Sequence, residues 1–165
     1  MKNRTKDLGR DWDDRDAQAA RDSSHERPLS DAPLRAEDEA PLVLIVEDEG
    51  TIAEALRLVV EEIGCRVALA PNGVAALAIA RHEKPALVLT DLMMPVMDGW
   101  AFITRLQQEA ACGAMAAPPV VVMTAARRVH ARDLAVEDVL HKPFELDEVE
   151  AKVEQFVGER LRRSA

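Results

Sequence analysis

The sequence predicts a doubly wound α/β fold: a five-stranded parallel sheet with helices on both faces. Three observations predict it. Short, wholly apolar runs such as LVLIV (Leu42–Val46) recur along the chain, as strands buried on both faces require. Between them, apolar residues return at spacings of three and four, the mark of amphipathic helices. The two patterns alternate, and strand–helix–strand crossovers make parallel sheets.

Each element follows in order. Leu42–Val46 is the first strand. Ile52, Leu56, Val59 and Ile63 then form a helical stripe, which Gly64 ends. Arg66–Leu69 reads as the second strand and Val74–Ala80, with Leu77, as the second helix. Ala86–Thr90 (ALVLT) is the third strand. Gly99–Glu109 is the third helix, carrying Phe102, Ile103 and Leu106. An Ala-rich loop with Pro118 and Pro119 leads into the fourth strand, Val120–Met123. Arg128–Val136 reads as a short helix, Val139–His141 as a short fifth strand and Glu145–Leu161 as the last helix. Leu146, Val149, Val153, Phe156 and Val157 stripe that helix.

Residues 1–40 break this pattern. They hold eight Lys/Arg and eleven Asp/Glu, with only Leu8, Leu29 and Leu34 as large aliphatics. Such a segment cannot bury enough surface to offset its ordering entropy, so a disordered charged N-terminal tail is expected over 1–40. Trp12 is the one residue at odds with that reading. The folded domain is expected over 41–165.

Composition removes several function classes. The net charge is −9 and aromatics are 3%, with no Tyr, which argues against nucleic acid as a partner. No apolar run approaches the roughly 18 residues of a membrane span. The opening residues lack a signal-peptide core. Cys65 and Cys112 have neither CxxC nor metal spacing and read as buried or inert thiols. The expected location is cytoplasmic.

In an open parallel sheet the site lies at the carboxyl ends of the strands. The residues there are Glu47 and Asp48 after strand one, Asp91 after strand three, Thr124 after strand four and Lys142 after strand five. Carboxylates at a few Å repel by ~1–4 kcal/mol per pair, depending on how wet the site is. Three of them call for a divalent cation, and oxygen donors suit Mg2+. Thr124 and Lys142 suit a phosphoryl group as hydroxyl donor and cation. The set describes metal-assisted phosphoryl transfer with one Asp as nucleophile.

Four motifs carry a resemblance: IVEDE (Ile45–Glu49), TDLMMPVMDG (Thr90–Gly99), MTA (Met123–Ala125) and HKPF (His141–Phe144). From about Pro41 to its end the chain resembles the receiver domains of two-component response regulators. The resemblance implies the flavodoxin-like strand order 2-1-3-4-5. It implies Asp91 as phosphoacceptor, Asp48 as direct Mg2+ ligand, Glu47 as a ligand acting through water, and the Met93 carbonyl as backbone ligand. Thr124 matches the hydroxyl switch and Lys142 the phosphate-contacting lysine. The Lys142–Pro143 bond is expected to be cis. The implied partners are a histidine kinase or histidine phosphotransfer protein, and a downstream protein. A stand-alone, single-domain receiver is expected, because the 21 residues after Phe144 suffice only for the last helix.

Two departures stand out. Similar domains carry an aromatic residue three positions before the lysine, where this chain has Val139. The spacing from Thr124 to Lys142 is also short, so a shortened fourth helix is expected.

Blander readings compete. A solvated acidic turn accounts for Glu47–Glu49 but leaves Asp91, Thr124 and Lys142 unexplained. Asp98 reads as the cap of helix three. Met93, Met94 and Met97 read as pocket or core packing, and Trp100 as wall packing next to the loop. Arg127 and Arg128 read as solvated. The expected function is acceptance of a phosphoryl group on Asp91, a signalling role and not an enzymatic one. Two alternatives stay open: a phosphorylation-independent interaction module, and an aspartate-nucleophile phosphatase. Met93 stands where many such phosphatases place a second acid.

Overall fold

The alternation of apolar runs and helical stripes becomes five strands and five helices in the computed structural model. It describes residues 40–164, with side chains described as far as Gly158. The tail expected over 1–40 lies outside the described residues, Ala40 excepted. The elements are β1 (Leu42–Val46), α1 (Gly50–Glu62), β2 (Arg66–Ala70), α2 (Gly73–Glu83), β3 (Leu87–Asp91), α3 (Gly99–Ala111), β4 (Val120–Thr124), α4 (Ala131–Leu134), β5 (Asp138–His141) and α5 (Leu146–Ser164). All strand pairs are parallel, in the order β2-β1-β3-β4-β5.

The three central strands are buried along their whole length because both faces are covered. Side chains alternate between faces. Leu44, Val46, Val88, Val120 and Val122 face α2, α3 and α4, meeting Ala76, Leu77, Phe102, Ile103, Leu106 and Leu134. Val43, Ile45, Leu87, Leu89, Val121 and Met123 face α1 and α5, meeting Leu56, Val60, Val149, Val153 and Val157. Truncating a fully buried residue such as Phe102 to alanine would cost ~3–5 kcal/mol.

Local chemistry sets the helix ends. Asn72 caps α2, its side-chain oxygen accepting from the Val74 and Ala75 N–H groups at 3.1 Å each. Asp98 caps α3 as expected, accepting from Ala101 N–H at 2.8 Å. Gly64, just past α1, takes φ 93, a conformation that suits glycine. The fourth helix is four residues long, shorter than the expected Arg128–Val136. Val129 and Val136 pack inward from the loops on either side of it, which explains why their apolar spacing mimics a longer helix.

Among the described residues no helix is long and apolar enough to cross a membrane.

Candidate functional site

The site is built where β1, β3, β4 and β5 end. Glu47 follows β1, and its N–H donates to the Ala70 carbonyl at 3.0 Å, holding it against the end of β2. Asp91 is the last residue of β3. Both are buried, with exposures of 4% and 7%. Lys142 follows β5, and its N–H donates to the Thr124 carbonyl at 2.8 Å, fixing it beside β4. The Lys142–Pro143 peptide is cis.

The Lys142 ammonium joins the two acids. Nζ donates to Asp91 Oδ2 at 2.6 Å and to Glu47 Oε2 at 2.8 Å. Burial alone would lower the pKa of this lysine, but hydrogen bonds to Asp91 and Glu47 outweigh it and raise the pKa above its usual value. Lys142 is therefore favoured as a cation between two carboxylates. The other oxygen of Asp91, Oδ1, accepts from Leu92 N–H at 2.5 Å and Met93 N–H at 3.1 Å. This carboxylate is oriented from both sides, as a poised nucleophile requires.

Thr124, at the end of β4, is fully buried, and its Oγ1 accepts from Ala126 N–H at 3.1 Å. The hydroxyl thus ties the start of the β4–α4 loop to the strand. Gly99 is needed for close approach. A Cβ there would collide with the Asp91 carbonyl oxygen and with Leu92 Cα. Its N–H donates to the Leu92 carbonyl at 3.0 Å, so the start of α3 lies directly behind the Asp91 backbone.

The three expected carboxylates do not converge. Asp48 is exposed, and among the described residues no group of three or more Asp, Glu, His or Cys side chains closes on one point. Glu47 turns toward Lys142, whereas Asp48, at a bend just past β1, is exposed. The oxygen donors at this edge are still of the hard type. The carboxylates of Glu47, Asp48 and Asp91 and the Met93 carbonyl fit Mg2+ in chemistry.

The profile of the response regulator receiver domain matches residues 43–154. The chain is 34% identical over 121 residues to Response regulator Rre1 of Synechocystis sp., covering 70% of this chain and 51% of that protein. The chain belongs to the response regulator receiver domain family. It spans about half the length of the curated relatives it matches.

Solved receiver domains agree with the fold. The receiver domain of the Francisella response regulator 1452 is 25% identical with a TM-score of 0.62, covering 76% of this chain and 99% of that one. The receiver domain of the sensor histidine kinase PA1611 from Pseudomonas aeruginosa, solved with a magnesium ion in its active site cleft, is 23% identical with a TM-score of 0.62. It covers 72% of this chain and 98% of that one. Receiver domains are phosphoacceptor signalling domains, not enzymes of the ordinary kind.

Some side chains of this receiver domain depart from the sequence reading and others match it. Met93 is 72% exposed, whereas Met94 is buried and Met97 lies against Gly73. Trp100 is 42% exposed, on the rim of a groove between α2 and α3. Cys112 is exposed, while Cys65 is buried and its thiol is pushed up to about 11 by desolvation. Arg127 and Arg128 are exposed, as expected. Sequence reasoning passed over Thr90. It is fully buried and its Oγ1 donates to the Asp91 carbonyl at 2.9 Å. The signal was a hydroxyl residue closing an otherwise aliphatic strand, ALVLT.

Proposed function

We propose that this receiver domain, over residues 41–165, accepts a phosphoryl group on Asp91 from a phosphohistidine of a partner kinase or phosphotransfer protein. The observation that carries this is the Asp91 carboxylate, held between the Lys142 ammonium and two backbone amides at the carboxyl edge of the sheet. An Asp91 oxygen attacks phosphorus, the phosphorus–nitrogen bond breaks, and the imidazole leaves with the electron pair. The product is an acyl phosphate on Asp91.

Lys142 pairs with the charge that arrives on the phosphoryl oxygens, and the Thr124 hydroxyl donates to one of them. Glu47, Asp48, Asp91 and the Met93 carbonyl would hold Mg2+. When bound, the ion supplies charge neutralisation for the incoming phosphoryl group. The magnesium described in the active site cleft of the PA1611 receiver favours that ion as the choice here.

A protein phosphodonor fits the surroundings. An open, mostly apolar groove of about 400 Å³ lies beside the site, lined by Ile52, Leu56, Lys142, Pro143, Phe144 and Leu146. A partner seated there would place its phosphohistidine near Lys142. Output would pass by protein contact or by onward phosphotransfer.

Incubation with acetyl phosphate and Mg2+, read by intact mass, tests the reading. The expected result is a gain of one phosphoryl group that is absent in Asp91→Asn. Asp48→Ala should keep the fold, since Asp48 is exposed, and lose Mg2+-dependent phosphorylation. Equal labelling of wild type and Asp91→Asn would overturn the assignment of Asp91.

A further inference from the structure

Position 90 is the neighbour of Val46 on β1 and of Val122 on β4 in the sheet register. It sits at 0% exposure beside an aliphatic layer. Valine would have the same shape there and no hydroxyl to desolvate, yet the residue is threonine. Burying a hydroxyl is unfavourable unless it finds a partner. The partner here is the Asp91 carbonyl oxygen, 2.9 Å from Thr90 Oγ1.

That carbonyl belongs to the Asp91–Leu92 peptide, which is planar. One end of the plane is the oxygen held by Thr90 and backed by Gly99. The other end is the Leu92 N–H, which donates to Asp91 Oδ1 at 2.5 Å. Rotating the plane would move both ends together. The grip on the oxygen therefore also sets the direction of the N–H that orients the carboxylate.

We propose that Thr90 is a positioning residue for Asp91, acting through the Asp91–Leu92 peptide plane and not by touching the phosphoryl group. This rests on the reading of Asp91 as phosphoacceptor.

The test compares wild type, Thr90→Val and Thr90→Ser in the full chain. Two readouts are taken: the acetyl phosphate labelling rate at saturating Mg2+, and amide hydrogen exchange at Leu92 and Met93. Thr90→Val should slow the maximal labelling rate roughly fivefold, the scale of one lost neutral hydrogen bond. It should quicken exchange at Leu92 and Met93 by a similar factor. The melting temperature should hold or rise, because the hydroxyl is no longer buried. Thr90→Ser should restore both readouts.

A purely structural role would lower the melting temperature and quicken exchange throughout β1 and β4 as well. That result overturns the proposal, as does a Thr90→Val protein that matches wild type in both readouts. If wild type takes no label on Asp91, the phosphoacceptor reading fails by itself. The exchange arm then still decides whether Thr90 orients the peptide.

Discussion

The side-chain amide of Gln107 on α3 donates to the carbonyl of Leu134, the last residue of α4, at 2.9 Å. The same nitrogen reaches the Ala135 carbonyl, also at 2.9 Å. Helix ends leave carbonyls without intrahelical partners, and a helix of four residues has little else to satisfy them. Gln107 caps α4 from a neighbouring helix. Gln107→Ala should lower stability by about 1–2 kcal/mol in a urea titration. Amide exchange should quicken over residues 131–136. Unchanged exchange there would mean that the cap contributes nothing.

The route proposed for a signal from Asp91 runs through the same segment. Thr124 Oγ1 accepts from Ala126 N–H, so a swing of the hydroxyl toward a phosphoryl group on Asp91 breaks that bond. Val139 is half-buried and β-branched, with a stiff side-chain torsion that cannot sweep as a ring does. Hydrogen exchange with and without a phosphoryl mimic should change over Ala125–Val136, with little at Val139. Changes centred on β5 and α5 would refute this route.

Val96 carries a local cost. Its φ is 69, and it is 85% exposed, in the loop between β3 and α3. A β-branched residue in the left-handed region loses about 1–2 kcal/mol, and at that exposure packing returns little. Val96→Asn should raise stability by about 1 kcal/mol, because asparagine tolerates this conformation. A urea midpoint that falls would show that the valine makes an offsetting contact.

Glu109 joins α2 to α3. Arg81 donates to it from Nη2 at 2.5 Å and from Nε at 2.7 Å, and Arg105 adds a bond at 3.0 Å. The Arg81 hydrogen bonds hold the Glu109 carboxyl well below its usual range, at about 2. A lowered pKa means the carboxylate stabilises the fold fully above the ordinary glutamate value, and loses that effect as pH falls toward 2. The melting-temperature gap between wild type and Glu109→Gln should be present at pH 7 and shrink below about pH 4.5. High salt should shrink it too, since the pair lies near the surface. A gap independent of pH would show that the glutamate acts by packing.

The positions of the strands were legible in the residues. LVLIV, ALVLT and VVVM are short, predominantly apolar runs of the kind central strands need, and each lies within one residue of the strand it predicts. Asp98 was legible as a cap and Asp91, Thr124 and Lys142 as strand-end residues, because those roles depend on local order along the chain. The length of α4 was less so, since Val129 and Val136 have helical spacing but are anchored in loops.

By itself, the sequence determined the alternation, the sheet and the list of residues at its carboxyl edge, because period and strand ends are local properties. The tertiary structure alone decided which of those residues meet. Lys142 reaches Glu47 and Asp91 across separations of 95 and 51 residues, while Asp48, one residue from Glu47, remains in water. The grip of Thr90 on the Asp91 peptide and the cap of Gln107 on α4 depend in the same way on side-chain direction at a particular depth in the packing. Residue type and spacing do not encode that direction; the contacts across the sheet and between helices impose it.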